Sequence, residues 1–126
     1  MAMKEKYIMI VDDSDEIRKR LKSLLEGESY QVLDFSDSGQ AAEYLKTNEN
    51  PVSLFILDYH MPVMNGLELC DKIRKTDQYK GTPIFMLTSE RNPALMKKGK
   101  QEYKAEWLVK PLNPGLMIKF ISKIIA

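Results

Sequence analysis

The chain is short of most of the groups on which enzymes and anchored proteins rely. Among its 126 residues there is one cysteine, Cys70, and one histidine, His60. A lone cysteine forms no internal disulfide and has no cysteine partner for a metal, so Cys70 reads as a small buried hydrophobe in a reducing compartment. A lone histidine puts multi-histidine metal sites and Ser-His-Asp triads out of reach. Long apolar runs are missing as well: Ser53–Leu57 is brief, and Ile118–Ile125 is broken by Lys119 and Lys123. Neither approaches the ~20 residues of a membrane span. The opening Met1–Lys6 has no apolar stretch before a small-residue cleavage site, so no secretory leader is expected and a cytoplasmic location follows. Net charge is nearly absent, since 19 Lys/Arg against 18 Asp/Glu leave +1. That excludes a polycation built for nucleic acid.

What is there is the mixture of an ordinary globular domain, 44% hydrophobic and 29% charged. The length suits one core, so residues 1–126 are expected to form a single monomeric domain with no effector domain. The charge is uneven. Residues 1–90 hold 11 Lys/Arg and 16 Asp/Glu, whereas residues 91–126 hold 8 and 2, a balance of +6 at the end. Lys97, Lys98, Lys100, Lys104, Lys119 and Lys123 make up most of it.

Short apolar runs alternate with helix-like stretches. Tyr7–Val11 is followed by a helix capped by Ser14, with Asp15 and Glu16 at its positive end, an apolar stripe of Ile17, Leu21, Leu24 and Leu25, and Gly27 as a stop. Tyr30–Phe35 is the second strand, and Ser38 opens a helix with Ala41, Ala42 and Leu45 on its apolar side. Leu54–Leu57 is apolar at successive positions, as expected of a strand covered on both faces. A loop containing Pro62 and Asn65-Gly66 leads to a helix near Leu67–Lys75, and Ile84–Leu87 is the fourth strand. Asn92-Pro93 and Asn113-Pro114 each read as an N-cap followed by proline in the first turn. Between them lies the strand Trp107–Val109, and the last helix is expected to bury Leu116, Met117, Phe120, Ile121, Ile124 and Ile125. Five strands, each followed by a helix, argue for an α/β doubly wound parallel sheet with helices on both faces.

In such a sheet ligands bind beyond the carboxyl ends of the strands. Those ends carry Asp12 and Asp13, Asp58, Thr88 and Lys110. Gathered carboxylates repel unless a cation intervenes, and a few hard oxygen ligands supplemented by water suit Mg²⁺. Attack by a carboxylate on a phosphoryl group needs a nucleophile, a metal and donors for the phosphoryl oxygens. Asp58, at the end of the most apolar strand, is the candidate nucleophile, Asp12 and Asp13 are the metal-side acids, and Thr88 and Lys110 are the donors. Loss of the Lys110 charge is expected to leave stability unchanged or raised once Mg²⁺ is bound.

Four fragments, in order and at consistent spacing, carry a resemblance: Val11-Asp12-Asp13, Leu57-Asp58-Tyr-His-Met61-Pro62-Val-Met-Asn65-Gly66, Leu87-Thr88-Ser89, and Trp107-Leu-Val-Lys110-Pro111. With them the chain resembles the receiver domain of bacterial response regulators, and in size a stand-alone, CheY-like member. The resemblance implies a flavodoxin-like (βα)5 fold with strand order 2-1-3-4-5. It implies phosphotransfer from a histidine kinase to Asp58, with Mg²⁺ held by Asp13, Asp58 and the backbone carbonyl of His60, and by Asp12 through water. It places an aromatic switch at Trp107, paired with Thr88, and a cis peptide at Lys110-Pro111. The output is expected to be a protein-binding surface whose partner is acidic, in a chemotaxis-type or relay role, without enzymatic action on other substrates. Tyr103-Lys104 replaces the glycine-alanine pair usual before the last strand, and Ser89 stands where alanine is common.

Three rival functions meet obstacles in the residues. An interaction module that has lost phosphorylation would not need the full set Asp12, Asp13, Asp58, Thr88 and Lys110. A dehalogenase-like phosphohydrolase wants an acid two residues after the nucleophile, where His60 stands. An FMN carrier wants a Ser/Thr/Gly-rich phosphate loop after the first strand, where Asp12 and Asp13 would repel the phosphate.

Overall fold

The computed structural model describes residues 6–47, 50–111 and 113–125. Its strands are β1 (Tyr7–Val11), β2 (Gln31–Phe35), β3 (Val52–Leu57), β4 (Ile84–Thr88) and β5 (Ala105–Val109). They alternate with α1 (Asp15–Gly27), α2 (Ser38–Leu45), α3 (Gly66–Lys75), α4 (Pro93–Tyr103) and α5 (Pro114–Ile125). All the pairings are parallel, in the order β2-β1-β3-β4-β5 expected from the resemblance.

The unbroken apolar runs have a simple cause. Successive side chains of a strand point to opposite faces, and here both faces are covered. Met9, Val11, Phe55, Leu57 and Met86 join Ala41, Leu45, Leu67, Cys70 and Ile73 in one core layer. Ile8, Ile10, Leu54, Ile56, Phe85 and Leu87 join Leu21, Leu25, Met117, Ile121 and Ile125 in the other. At roughly 1.5–3 kcal/mol for each fully buried large side chain, the two layers supply the main driving force for folding.

Several boundaries differ from the expectations, each for a local reason. Gly27 is the last residue of α1 rather than its stop, and Ser29, at φ 69°, takes the left-handed turn. The α2 helix does open at Ser38, after a cap by Asp37 whose Oδ1 accepts from the Gly39 and Gln40 N–H groups. Ser38 itself is buried, with its hydroxyl 2.9 Å from both the Pro62 and Met64 carbonyls. That ties α2 to the loop after β3. The α4 helix ends without a glycine because Lys104 itself adopts the left-handed conformation, φ 55°. Gly99, one turn earlier, serves a different purpose: a Cβ there would lie 3.2 Å from Trp107 Cε3, so its absence makes room for the indole.

The last helix departs most from expectation. Met117, Ile121 and Ile125 face the sheet, while Leu116, Phe120 and Ile124 are 47%, 38% and 41% exposed. The helix is apolar on two stripes, and only one can face the core. Among the described residues no helix is long and apolar enough to cross a membrane.

Candidate functional site

Parallel pairing brings the strand ends together. Asp12 follows β1 with its N–H bonded to the Phe35 carbonyl at 3.1 Å, and Asp58 follows β3 with its N–H bonded to the Val11 carbonyl at 2.9 Å. Thr88 ends β4, and its carbonyl accepts from the Lys110 N–H at 2.9 Å, which holds the lysine beside it. The Lys110-Pro111 peptide is cis, as the resemblance implies. Asn65 caps α3 in a capping box with Glu68, and Gly66 sits where a Cβ would fall 2.5 Å from the Asp58 carbonyl oxygen. Only glycine fits behind the acid.

Asp12, Asp13 and Asp58 each present a carboxylate oxygen within 4.8 Å of the others. Asp12 and Asp58 are buried, and Asp13 is exposed at the mouth. Lys110 Nζ donates to Asp12 Oδ2 at 2.9 Å and to Asp58 Oδ2 at 3.2 Å. The remaining oxygens of those two acids are held by backbone: Asp12 Oδ1 accepts from the Ser14 N–H and Asp58 Oδ1 from the Tyr59 N–H. Burial pushes the Asp12 carboxyl above the usual range, and the Lys110 hydrogen bond and Ser14 N–H only partly oppose it. Burial pulls the Lys110 ammonium down, but its bonds to Asp12 and the charges of Asp12 and Asp58 outweigh that and raise it. Among the described residues Lys110 is the cation bonded to these carboxylates, and Asp13 lies outside its hydrogen-bond reach. A hard divalent ion fits that oxygen-only, charge-deficient set.

The other sequence-derived residues take up defined places. Thr88 is fully buried, and its Oγ1 accepts from the Glu90 N–H at 3.2 Å. Trp107 is half-buried, its Nε1 donating to the Glu90 carbonyl at 2.9 Å. His60 is exposed beside the acids, with Nε2 2.9 Å from Glu90 Oε1. Met61 lines the shallow hollow next to Asp13 with Tyr59, His60 and Asn65, whereas Met64 lies in the α3–α4 groove. Ser89 is exposed. Cys70 is buried, and burial pushes its thiol up to about 12. Sequence reasoning missed Glu90. The only hint in the chain is its position two residues after Thr88, matching that of His60 after Asp58.

Residues 8–122 match the response regulator receiver domain. The chain belongs to that family. Two-component response regulator ORR7 of Oryza sativa subsp. japonica is 33% identical to this receiver domain over 119 residues, 94% of this chain and 56% of that protein. Transcriptional regulatory protein SrrA of Staphylococcus aureus is 36% identical over 118 residues, 94% of this chain and 47% of that protein. The receiver domain thus spans about half the length of both. Chemotaxis protein CheY4 of Vibrio cholerae superposes with a TM-score of 0.86 at 35% identity, covering 98% of this chain and all of that one. Response regulator protein TrrA of Thermotoga maritima, solved in complex with Mg²⁺ and BeF, gives a TM-score of 0.79 at 29% identity over 95% and 99% of the two chains.

Proposed function

We propose that this receiver domain accepts a phosphoryl group from a histidine kinase on Asp58, in a Mg²⁺-dependent reaction, and thereby switches a surface read by another protein. The observation that carries the reading is the Lys110 ammonium held between Asp12 and Asp58, with Thr88 on the neighbouring strand and Asp13 at the open side. Asp12, Asp13, Asp58 and the His60 carbonyl would hold the metal, which when bound offsets carboxylate charge and polarises phosphoryl oxygens. The Tyr59 N–H fixes one oxygen of Asp58, and the other is free to act once Lys110 turns to the incoming group. An Asp58 oxygen then bonds to phosphorus, the P–N bond to the donor imidazole breaks with its electron pair going to nitrogen, and an acyl phosphate results. Lys110 and the Thr88 hydroxyl meet the charge on the transferred oxygens. The residues serve this self-transfer and its hydrolytic reversal rather than turnover of another substrate.

The output face is built from α4, β5 and α5. Lys97, Lys98, Lys100, Lys104, Lys119 and Lys123 are exposed on α4, at its C-cap and on α5, with Lys98 turned to the α3–α4 groove, and Leu116, Phe120 and Ile124 are exposed on α5. That pattern suits an acidic protein partner rather than nucleic acid, because no base-reading element accompanies the lysines. Like charge on this face also favours a monomer. A cytoplasmic setting belongs to the same proposal.

Phosphoramidate, whose P–N bond mimics that of phosphohistidine, tests the transfer. Intact mass should rise by one phosphoryl group with Mg²⁺ and remain unchanged with a chelator; uptake in the chelator, or none with Mg²⁺, overturns the reading. For the partner, affinity should fall with salt and with Lys97 and Lys98 reversed to Glu. Insensitivity to both would make the lysines only a solvated face.

A further inference from the structure

Arg18 lies on the first turn of α1 with only 14% of its side chain exposed, and its guanidinium is shared among three elements. Nη1 donates to the backbone carbonyl of Asp12 at 2.7 Å, where β1 ends. Nε donates to Asp34 Oδ2 on β2 at 3.4 Å, and Nη2 donates to Asp15 Oδ1 at the start of α1. Asp34 is steadied in turn by Lys22, whose Nζ lies 3.6 Å from its other oxygen. Arg18 and Lys22 thus balance Asp15 and Asp34 in charge. What the guanidinium contributes to the acid cluster is a hydrogen bond to its backbone rather than a counter-ion.

The gripped carbonyl belongs to the peptide that joins Asp12 to Asp13. A peptide is planar, so holding its oxygen fixes the direction of the whole unit and the point from which Asp13 starts. Asp12 is braced at its other groups as well: its N–H by the Phe35 carbonyl, Oδ1 by the Ser14 N–H and Oδ2 by Lys110. Asp13 is exposed, and its carboxylate is aimed by the backbone that carries it. Mg²⁺ demands near-octahedral ligands at about 2.0–2.1 Å, so a loosely held Asp13 would have to be ordered at the expense of affinity. A guanidinium suits the task because its donors are fixed in one plane, whereas a lysine ammonium is a single point on a flexible stem.

We infer that Arg18 is a positioning residue for the metal-side acids, pinning the Asp12–Asp13 peptide against β2 and α1 so that Asp13 meets a divalent cation already ordered. This rests on the Mg²⁺ reading of Asp12, Asp13 and Asp58 and adds a residue from outside the strand ends. The inference carries a sign. Deleting a positive charge close to a cation site should, by Coulomb repulsion alone, tighten Mg²⁺ binding. Loss of a group that orients a metal ligand should weaken it.

Wild type, Arg18→Ala and Arg18→Lys are melted in chelator and across a Mg²⁺ series, with Mg²⁺ alone as the probe. The dissociation constant follows from the rise of melting temperature with ion concentration. Arg18→Ala should raise that constant about tenfold, the lower end of the effect for groups that orient metal ligands. Arg18→Lys keeps the charge and loses the fork, and its constant should fall within about threefold of that of Arg18→Ala. A residue that only stabilised the fold would lower the melting temperature in chelator and leave the Mg²⁺ constant at the wild-type value. An unchanged or tighter constant in Arg18→Ala would overturn the inference while leaving the reading of the acids intact, and a wild-type constant in Arg18→Lys would overturn the fork as its cause. No Mg²⁺ response in wild type would remove the reading itself. Should Arg18→Ala not melt cooperatively, Arg18→Lys decides alone: weaker Mg²⁺ binding supports the inference and wild-type binding overturns it.

Discussion

Replacing Asp13 with Asn should have opposite effects with and without the metal. Asp13 is the exposed member of three carboxylates whose oxygens lie within 4.8 Å of one another, and Lys110 bonds only to the other two. Two unit charges about 4.8 Å apart repel by roughly 0.9 kcal/mol at the dielectric of water and by roughly 3.5 kcal/mol at an effective value of 20. The exposure of Asp13 places its pairs near the lower figure, and solvent screening and partial compensation by Lys110 reduce the sum over both neighbours to about 1 kcal/mol. In chelator at low salt, Asp13→Asn should therefore raise the melting temperature by about 4 °C for a domain of this size. With Mg²⁺ the order should invert. An ion at a hundred times its dissociation constant adds about 2.7 kcal/mol to wild type, most of which the variant forfeits when a charged ligand becomes an amide. Calorimetric or fluorescence melts with chelator and with a Mg²⁺ series read both effects. A variant less stable than wild type in chelator, or one with an undiminished Mg²⁺ response, would refute the view that repulsion among these acids poises the site for a cation.

Lys110→Ala should lower stability at neutral pH without Mg²⁺ by about 2–3 kcal/mol, since it leaves two buried carboxylates unpaired, and the loss should shrink with Mg²⁺ or on acidification; denaturant melts decide it. The expectation formed from sequence concerned the Mg²⁺-bound site; without the ion, the bonds of Lys110 to both buried acids make its loss costly. Lys104→Gly should stabilise by about 0.5–1 kcal/mol, because a left-handed residue with a Cβ is replaced by one without the penalty, and an unchanged melt would contradict the assignment of that cap. Cys70 should resist alkylation at pH 8 in the native state and react on unfolding, as its thiol is pushed up to about 12. For the same reason its contribution to stability is complete below the ordinary thiol value of 9.0 and lost as pH rises toward 12, so Cys70→Ala should flatten the alkaline decline.

The strand-end site was legible because a parallel sheet leaves a plain mark: runs such as Leu54–Leu57, buried on both faces, stop abruptly at a polar residue. Asp12, Asp58, Thr88 and Lys110 are each the first or last such residue, and pairing does the rest. Contacts that depend on how loops close over that edge left no such mark. Glu90 looks like any loop acid until His60, Trp107 and Thr88 are brought around it, and Ser38 looks like an ordinary first residue of a helix until the loop at Pro62 and Met64 reaches its hydroxyl. The α5 helix misled for a related reason. Leu116, Phe120 and Ile124 repeat with the same spacing as Met117, Ile121 and Ile125, and periodicity alone does not say which stripe meets the sheet. Lys104 was hidden because left-handed backbone at a non-glycine residue is set by the helix and strand it joins rather than by its own preference.

The most direct test of the central claim is to locate the covalent bond. The protein is incubated with phosphoramidate and Mg²⁺, treated with borohydride, which reduces an acyl phosphate to the alcohol, and digested for peptide mass spectrometry. The account predicts conversion of residue 58 to homoserine, in wild type and not in Asp58→Asn, and only when Mg²⁺ is present. Conversion at Asp12, Asp13 or any other acid with residue 58 untouched, or undiminished phosphate incorporation in Asp58→Asn, would contradict it.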